Sequence, residues 1–181
     1  YLTAKGAAAN GHKVYAGMRA IDGRNAERAT ELNNTENIEV VSIDVTDAAE
    51  VKSDIEGVIA YEGRLDVLVN NAGGLAETYT DDDVENMFDV NLKGPWRTIK
   101  SALPQMRKQG EGLIINISSS LGRFSAPFMT VYNSTKFALE GLTEGLHYEV
   151  RPLGVDVVFE QPGSFPTEIF GKTAYGADQS I

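Results

Sequence analysis

Short, continuous apolar runs alternate along the chain with longer stretches whose apolar residues recur at helical spacing. The runs predict five strands, at residues 13–17, 38–43, 66–70, 113–117 and 154–160. The periodic stretches predict helices at residues 1–10, 22–33, 48–62, 81–106 and 130–150, the fourth broken near Asn91 and Gly94. Strands that are apolar throughout are buried on both faces, which is typical of a parallel sheet covered by helices. The pattern therefore predicts an α/β fold with a doubly wound parallel sheet.

Polar and glycine-containing segments follow these strands. They are Arg19, Asp44, the Asn70-Asn71-Ala72-Gly73 segment, the serines at 118–120, and Pro162-Gly163. A doubly wound sheet binds ligands beyond the carboxyl ends of its strands. We therefore expect a ligand site at that edge of the sheet.

Composition narrows the class of protein. The 181 residues suit one domain spanning 1–181, and the net charge of −10 argues against binding nucleic acid or an anionic membrane. The sequence has no cysteine, and His12 and His147 are isolated, so we expect no metal site. No apolar run approaches the roughly 20 residues of a membrane span, and no signal-peptide pattern is visible. We expect a cytoplasmic protein.

A tyrosine and a lysine, Tyr132 and Lys136, share one face of the last predicted helix. A phenol titrates near pH ~10, so it needs a neighbouring charge to exchange protons near neutrality, and an ammonium supplies one. Tyr1 and Lys5 have the same spacing, which any amphipathic helix can show. Only Tyr132 also follows a buried strand and a serine cluster, whose hydroxyls could hold a substrate oxygen.

Motifs in this order resemble the short-chain dehydrogenase/reductase family, in its common single-domain form with a Rossmann fold. The matching positions are Asn70-Asn71-Ala72-Gly73, Asn91 within residues 89–94, Ser119 thirteen residues before Tyr132, the Tyr132–Lys136 pair, and Pro162-Gly163 followed by Thr167. The resemblance covers essentially the whole chain. It implies hydride transfer between a nicotinamide cofactor and a ketone, an aldehyde or a secondary alcohol.

The resemblance also implies a role for each catalytic residue. Ser119 would position the substrate oxygen, and Tyr132 would transfer the proton. Lys136 would lower the pKa of the tyrosine and hold the nicotinamide ribose. Asn91 would anchor a water of the proton relay.

The resemblance implies a set of cofactor contacts as well. They are Asp44, Val45, Asn71, Ala72, Gly73, Tyr132, Lys136, Pro162, Gly163 and Thr167. NAD-binding members usually carry an acidic residue where Met18 stands, whereas Arg19 suits the 2′-phosphate of NADP. We expect NADP rather than NAD, with a merely solvated Arg19 as the alternative.

The chain begins at Tyr1, inside a predicted helix, and we interpret it as a fragment. The family's first strand and glycine-rich loop would precede Tyr1, and a C-terminal portion would follow Ile181. Without that strand the sheet would be open between the strands near Val14 and Val67. We expect this segment alone to be inactive.

Two questions stay open from the residues. A catalytically silent cofactor-binding regulator of the same fold is the alternative to an enzyme. The helices at 81–106 and 130–150 are expected to form a homodimer or homotetramer, because the second carries apolar residues on more than one face: Phe137, Leu139, Leu142, Leu146 and Val150. Gly141 and Gly145 would permit close approach of a partner helix, or would instead fit against the chain's own sheet.

Overall fold

The computed structural model describes residues 1–70 and 79–163. Its helices are α1 (Leu2–Ala9), α2 (Ala26–Asn33), α3 (Ala48–Glu62), α4 (Asp81–Phe88), α5 (Gly94–Gln109) and α6 (Thr130–Val150). Its strands are β1 (Val14–Met18), β2 (Ile38–Ser42), β3 (Val67–Asn70), β4 (Gly112–Ile117) and β5 (Val155–Glu160). Every predicted element is present, and α3 and α6 have the predicted bounds. In these two ranges no helix is both long and apolar enough to cross a bilayer.

In the part of the chain that the structure describes, all strand pairs are parallel, and they form two sheets. β1 pairs with β2 from Val14 opposite Ile38 to Met18 opposite Ser42. β4 pairs with β3 on one side and β5 on the other. Within the described ranges β1 and β3 do not pair, as expected for an opening between the strands near Val14 and Val67. The helix-flanked parallel strands confirm the predicted α/β class.

The largest apolar core lies between β4, β5, α5 and α6. Its buried members are Ile99, Met106, Ile114, Leu146, Val150, Val155 and Val157. Gly154 enters β5 at φ 81°, and a Cβ there would overlap the carbonyl oxygen of Gly110 at the end of α5. That close backbone approach requires glycine and fixes the start of β5 against α5.

The predicted break near Asn91 and Gly94 is a π-helical turn, Asp89–Lys93, between α4 and α5. Gly94 is buried, and a Cβ on it would lie 3.0 Å from Cγ2 of Val45. A π-turn widens the backbone locally and is frequent at functional sites. Here it carries Asn91 into the interior, facing α6.

Candidate active site

Three of the predicted catalytic residues converge at the carboxyl end of β4. Tyr132 and Lys136 lie on the buried face of α6, with 8% and 5% of their surfaces exposed. Ser119 follows β4 and caps the short 3₁₀ helix Ser120–Gly122, its Oγ accepting a hydrogen bond from the Leu121 amide at 3.2 Å. The Ser119 hydroxyl also interacts with the phenol of Tyr132.

Lys136 reaches from α6 to the end of β4. Its Nζ donates to the Ile117 carbonyl oxygen at 2.9 Å and lies 5.6 Å from the centroid of the Tyr132 ring. Burial lowers the pKa of Lys136 to about 8. An ammonium has three N–H donors, and among the described residues one of them is used, by the Ile117 carbonyl.

Burial raises the pKa of Tyr132, and hydrogen bonding with Ser119 offsets only part of that rise. The net shift is upward, because the ring is removed from water. This shift reflects burial and the Ser119 hydrogen bond, so it does not test the lowering expected from Lys136, which stays a prediction. Near neutrality the phenol keeps its proton.

Asn91 is connected to α6 through a threonine. Its Nδ2 donates to Oγ1 of Thr135 at 3.0 Å, and that hydroxyl donates to the backbone carbonyl of Tyr132 at 2.8 Å. All three residues are buried. Thr135 was not among the predicted site residues, although its place between Tyr132 and Lys136 puts it on the helix turn that faces the π-turn.

Two predicted cofactor contacts meet where β1 and β2 end. Arg19 follows β1 directly, and its half-exposed guanidinium has Nη1 3.6 Å from Oδ2 of Asp44. Burial raises the pKa of Asp44, but hydrogen bonds from Thr46 and the charge of Arg19 outweigh it, so the net shift is downward. The carboxylate is therefore ionised near neutrality, beside a guanidinium that remains accessible.

Val45, beyond the end of β2, is connected by a hydrogen bond to the helix that follows the π-turn. Its carbonyl oxygen accepts a hydrogen bond from Nη1 of Arg97 at 3.0 Å. Arg97 also holds both carboxylate oxygens of Asp89, at 2.8 and 3.1 Å. Asp89 and Arg97 are eight residues apart, whereas side chains that meet on a regular helix are three or four residues apart. The π-turn lies within this interval, so the pair could not be predicted from helical spacing.

Pro162 and Gly163 follow β5, and the Pro162 carbonyl oxygen accepts the Ser120 amide at 3.1 Å. This bond places them beside the segment that carries Ser119. The predicted contacts at Asn71, Ala72, Gly73 and Thr167 lie outside the described residues.

Buried polar side chains beneath the site form a chain of hydrogen bonds, called the polar ladder below. Asn70 donates to Oδ1 of Asn116 at 2.9 Å, and Asn116 donates to Oγ1 of Thr143 at 2.9 Å. Thr98 on α5 donates to Oδ1 of Asn70 at 2.6 Å. Sequence reasoning missed Thr98, Asn116 and Thr143; the signal for Asn116 was a polar residue inside an otherwise apolar strand.

Helix-flanked parallel strands with polar side chains gathered at their carboxyl ends place the chain among α/β proteins that bind ligands at that edge. The sequence profile of the short chain dehydrogenases matches residues 1–177. The chain belongs to this family of oxidoreductases, and the resemblance inferred from its motifs is confirmed.

Individual relatives agree with this assignment. A 3-ketodihydrosphingosine reductase of Bacteroides thetaiotaomicron is 36% identical over 170 residues, which are 92% of this chain and 60% of that protein. A crystal structure of a short-chain dehydrogenase from Streptomyces avermitilis is 37% identical with a TM-score of 0.84, covering 96% of this chain and 65% of the other. The structure of ElxO with NADP bound is 34% identical with a TM-score of 0.81, covering 91% of this chain and 68% of the other. The chain thus spans about 60% of the length of the curated relatives it matches.

Proposed function

We propose that this protein transfers hydride between NADP(H) and a ketone or aldehyde, or the corresponding secondary alcohol. The observation that carries the proposal is the convergence of the half-buried Ser119 with the buried Tyr132 and Lys136 at the carboxyl end of β4. The reductase among the relatives supports carbonyl reduction as one direction of the reaction. The test is carbonyl-dependent oxidation of NADPH by the intact protein across a panel of ketones and aldehydes. Failure with every member would contradict the proposal.

The donors at this edge fit a dinucleotide phosphate. Arg19 offers an accessible guanidinium to a 2′-phosphate, and Lys136 has two N–H donors, beyond its bond to Ile117 among the described residues, to offer to ribose hydroxyls. The remaining cofactor contacts would be Asp44, Val45, Asn71, Ala72, Gly73, Tyr132, Pro162, Gly163 and Thr167. When bound, the nicotinamide supplies or accepts the hydride, and the protein supplies position and electrostatics.

In the proposed reduction, the hydroxyls of Ser119 and Tyr132 donate hydrogen bonds to the carbonyl oxygen of the substrate. Because burial raises the pKa of Tyr132, its phenol holds the proton until negative charge develops on that oxygen. The phenol then gives up the proton, and the nearby Lys136 ammonium stabilises the phenolate. Asn91 would hold the relay water that returns a proton to the site.

Replacing Arg19 with alanine is expected to weaken NADPH binding more than NADH binding. Losing a charge-assisted phosphate contact costs roughly 1.5–3 kcal/mol, and the Asp44 contact that Arg19 gives up on binding reduces that figure. Fluorescence titration of the intact protein with each cofactor measures the effect. Lys13→Ala, which removes another exposed cation paired with a carboxylate, is the matched control. Equal weakening of the two cofactors, or a greater loss for NADH, would contradict the phosphate contact.

The outer face of α6 supports the proposed homo-oligomer. Phe137 and Tyr148 are exposed there, and Trp96 is exposed on α5. A Cβ on Gly141 or Gly145 would meet no other described atom within 4 Å. The alternative that these glycines fit against the chain's own sheet is therefore wrong. They leave a shallow strip on which a second helix can lie closely.

We expect the intact protein to be a dimer or tetramer, and Gly141→Arg to produce a smaller species. The arginine would place a charged side chain in the middle of the apolar strip. Light scattering at micromolar concentration measures the mass, with Gly57→Arg on α3, a second helical glycine with open space around it, as control. A monomeric wild type would contradict the oligomer, and an oligomer that survives Gly141→Arg would contradict this surface.

A further inference from the structure

A buried carboxylate lies two helical turns beyond Tyr132 on α6. Glu140 has 7% of its surface exposed. Its Oε1 accepts the Ser118 hydroxyl at 2.6 Å, and the Gln161 side-chain amide donates to Oε1 and Oε2 at 2.8 and 2.9 Å. Among the described residues, no lysine, arginine or histidine forms an ion pair with it. Its partners are neutral donors.

Both partners are the immediate neighbours of proposed site residues. Ser118 precedes Ser119 at the end of β4, and Gln161 precedes Pro162 at the end of β5. The backbones of the two segments are bonded as well, through the Ser120 amide and the Pro162 carbonyl at 3.1 Å. One carboxylate therefore contacts the loop that carries the catalytic serine and the loop that carries a predicted cofactor contact.

We infer that Glu140 is a positioning residue, which fixes the Ser119 segment and the Pro162-Gly163 segment relative to each other and to Tyr132. The inference rests on the proposed function, because that function gives the two segments their roles. Glu140 touches neither substrate nor cofactor in this account. It acts through Ser118 and Gln161.

The surroundings of Glu140 are shaped for a carboxylate. A Cβ on Gly122 would overlap Oε1 of Glu140 and would lie 2.7 Å from Oγ of Ser118, so a larger residue there would displace the Glu140 carboxylate from this position. An ionised carboxylate only accepts hydrogen bonds, and it can accept from both partners at once.

Burying a carboxylate without a cation costs stability, and the hydrogen bonds from Ser118 and Gln161 offset part of that cost. A leucine would remove the charge but would leave both donors without their acceptor. The site therefore holds a charged group whose hydrogen bonds join the two segments. This distinguishes Glu140 from the polar ladder below it, whose members are uncharged.

Hydrogen exchange of the intact protein tests the positioning without requiring activity. In Glu140→Leu, the amides of Ser120 and Leu121 are expected to exchange about tenfold faster or more, because both segments lose their shared acceptor. Thr143→Val is the matched control, since it removes another buried polar group of α6 that bonds to β4. Unchanged exchange at Ser120 and Leu121 in a folded Glu140→Leu would overturn the inference. If that variant does not fold, Glu140→Ala, which also removes the acceptor, takes its place under the same criterion.

Kinetics separate positioning from a merely structural role. Ser118→Ala and Gln161→Leu should each lower kcat about tenfold, since small misplacements of catalytic groups are costly. When either substitution is combined with Glu140→Leu, the further loss of kcat should be smaller than the loss that the substitution causes alone, because all three act through the same contact. Glu140→Gln should recover part of the lost kcat, because its amide oxygen still accepts one bond.

The opposite pattern would overturn the inference. It consists of full kcat in Ser118→Ala and Gln161→Leu, with Glu140→Leu lowering only the melting temperature. A wild type without carbonyl reduction would refute the proposed function, while hydrogen exchange would still decide whether Glu140 holds the two segments.

Discussion

Tyr132→Phe is expected to lower turnover by about 10²–10⁴-fold, the usual contribution of a general acid, while leaving the affinity for the cofactor nearly unchanged. Tyr132 is a buried residue of α6 and its ring is kept in the variant, so only the hydroxyl near Ser119 is lost. Steady-state reduction of a carbonyl substrate, paired with a cofactor titration of the same preparation, measures both quantities.

Tyr15→Phe supplies the control for this variant. Tyr15 lies on β1, and its hydroxyl bonds to Glu62 away from the proposed site, so turnover should stay near that of the wild type. Turnover of Tyr132→Phe within about tenfold of the wild type would assign proton transfer to another group.

Lys136→Met is expected to abolish measurable turnover and, at pH 7, to make the fold more stable. The ammonium is buried, and its one hydrogen bond within the described residues is to the Ile117 carbonyl. Removing its desolvation cost outweighs the loss of that bond, so we expect a gain of about 1–2 kcal/mol in the free energy of unfolding. Methionine keeps a similar length and fills the space. Denaturant unfolding of both proteins measures the difference.

The gain should depend on pH. Burial lowers the pKa of Lys136 to about 8 in the folded protein, against an ordinary value of 10.5. Below pH 8 both states of the wild type carry the proton, and the folded state bears the full cost of the buried charge. Between those two pH values the unfolded state binds more protons, so wild-type stability rises with pH. The advantage of Lys136→Met should therefore be largest below pH 8 and shrink toward pH 10.5.

A loss of stability in Lys136→Met would contradict the claim that the Lys136 ammonium is buried at a cost to folding. A Lys136→Met protein that is less stable than the wild type at pH 7, with no change in the difference at higher pH, would show that Lys136 is solvated or paired. Lys100→Met provides the comparison, because Lys100 is exposed on α5 and should show little effect at any pH.

The elements with strong periodicity could be predicted from sequence. Helices α3 and α6 have their predicted bounds, since each presents a long apolar face between clear ends. The resemblance to the family also predicted that Ser119, at the end of a strand, would meet Tyr132 and Lys136 on the following helix. The break at Asn91 could be predicted only as an interruption, not as a π-turn.

Contacts between distant segments were beyond sequence reasoning. Glu140 looked like one more acidic residue on a helix, and only the fold shows it buried against Ser118 and Gln161. The Asp89–Arg97 pair depends on the extra residue of the π-turn. The direction of the Tyr132 pKa shift also required the structure, because it depends on burial and not on the spacing to Lys136.

Transfer of deuterium from the cofactor tests the central claim most directly. The intact protein would be incubated with NADPH deuterated at the transferable position and with a panel of ketones and aldehydes, and the products analysed by mass spectrometry. We predict one deuterium on the new carbinol carbon with the wild type and none with Tyr132→Phe. Cofactor that binds tightly but delivers no deuterium to any carbonyl with the wild type, or equal delivery by the two proteins, would contradict the account.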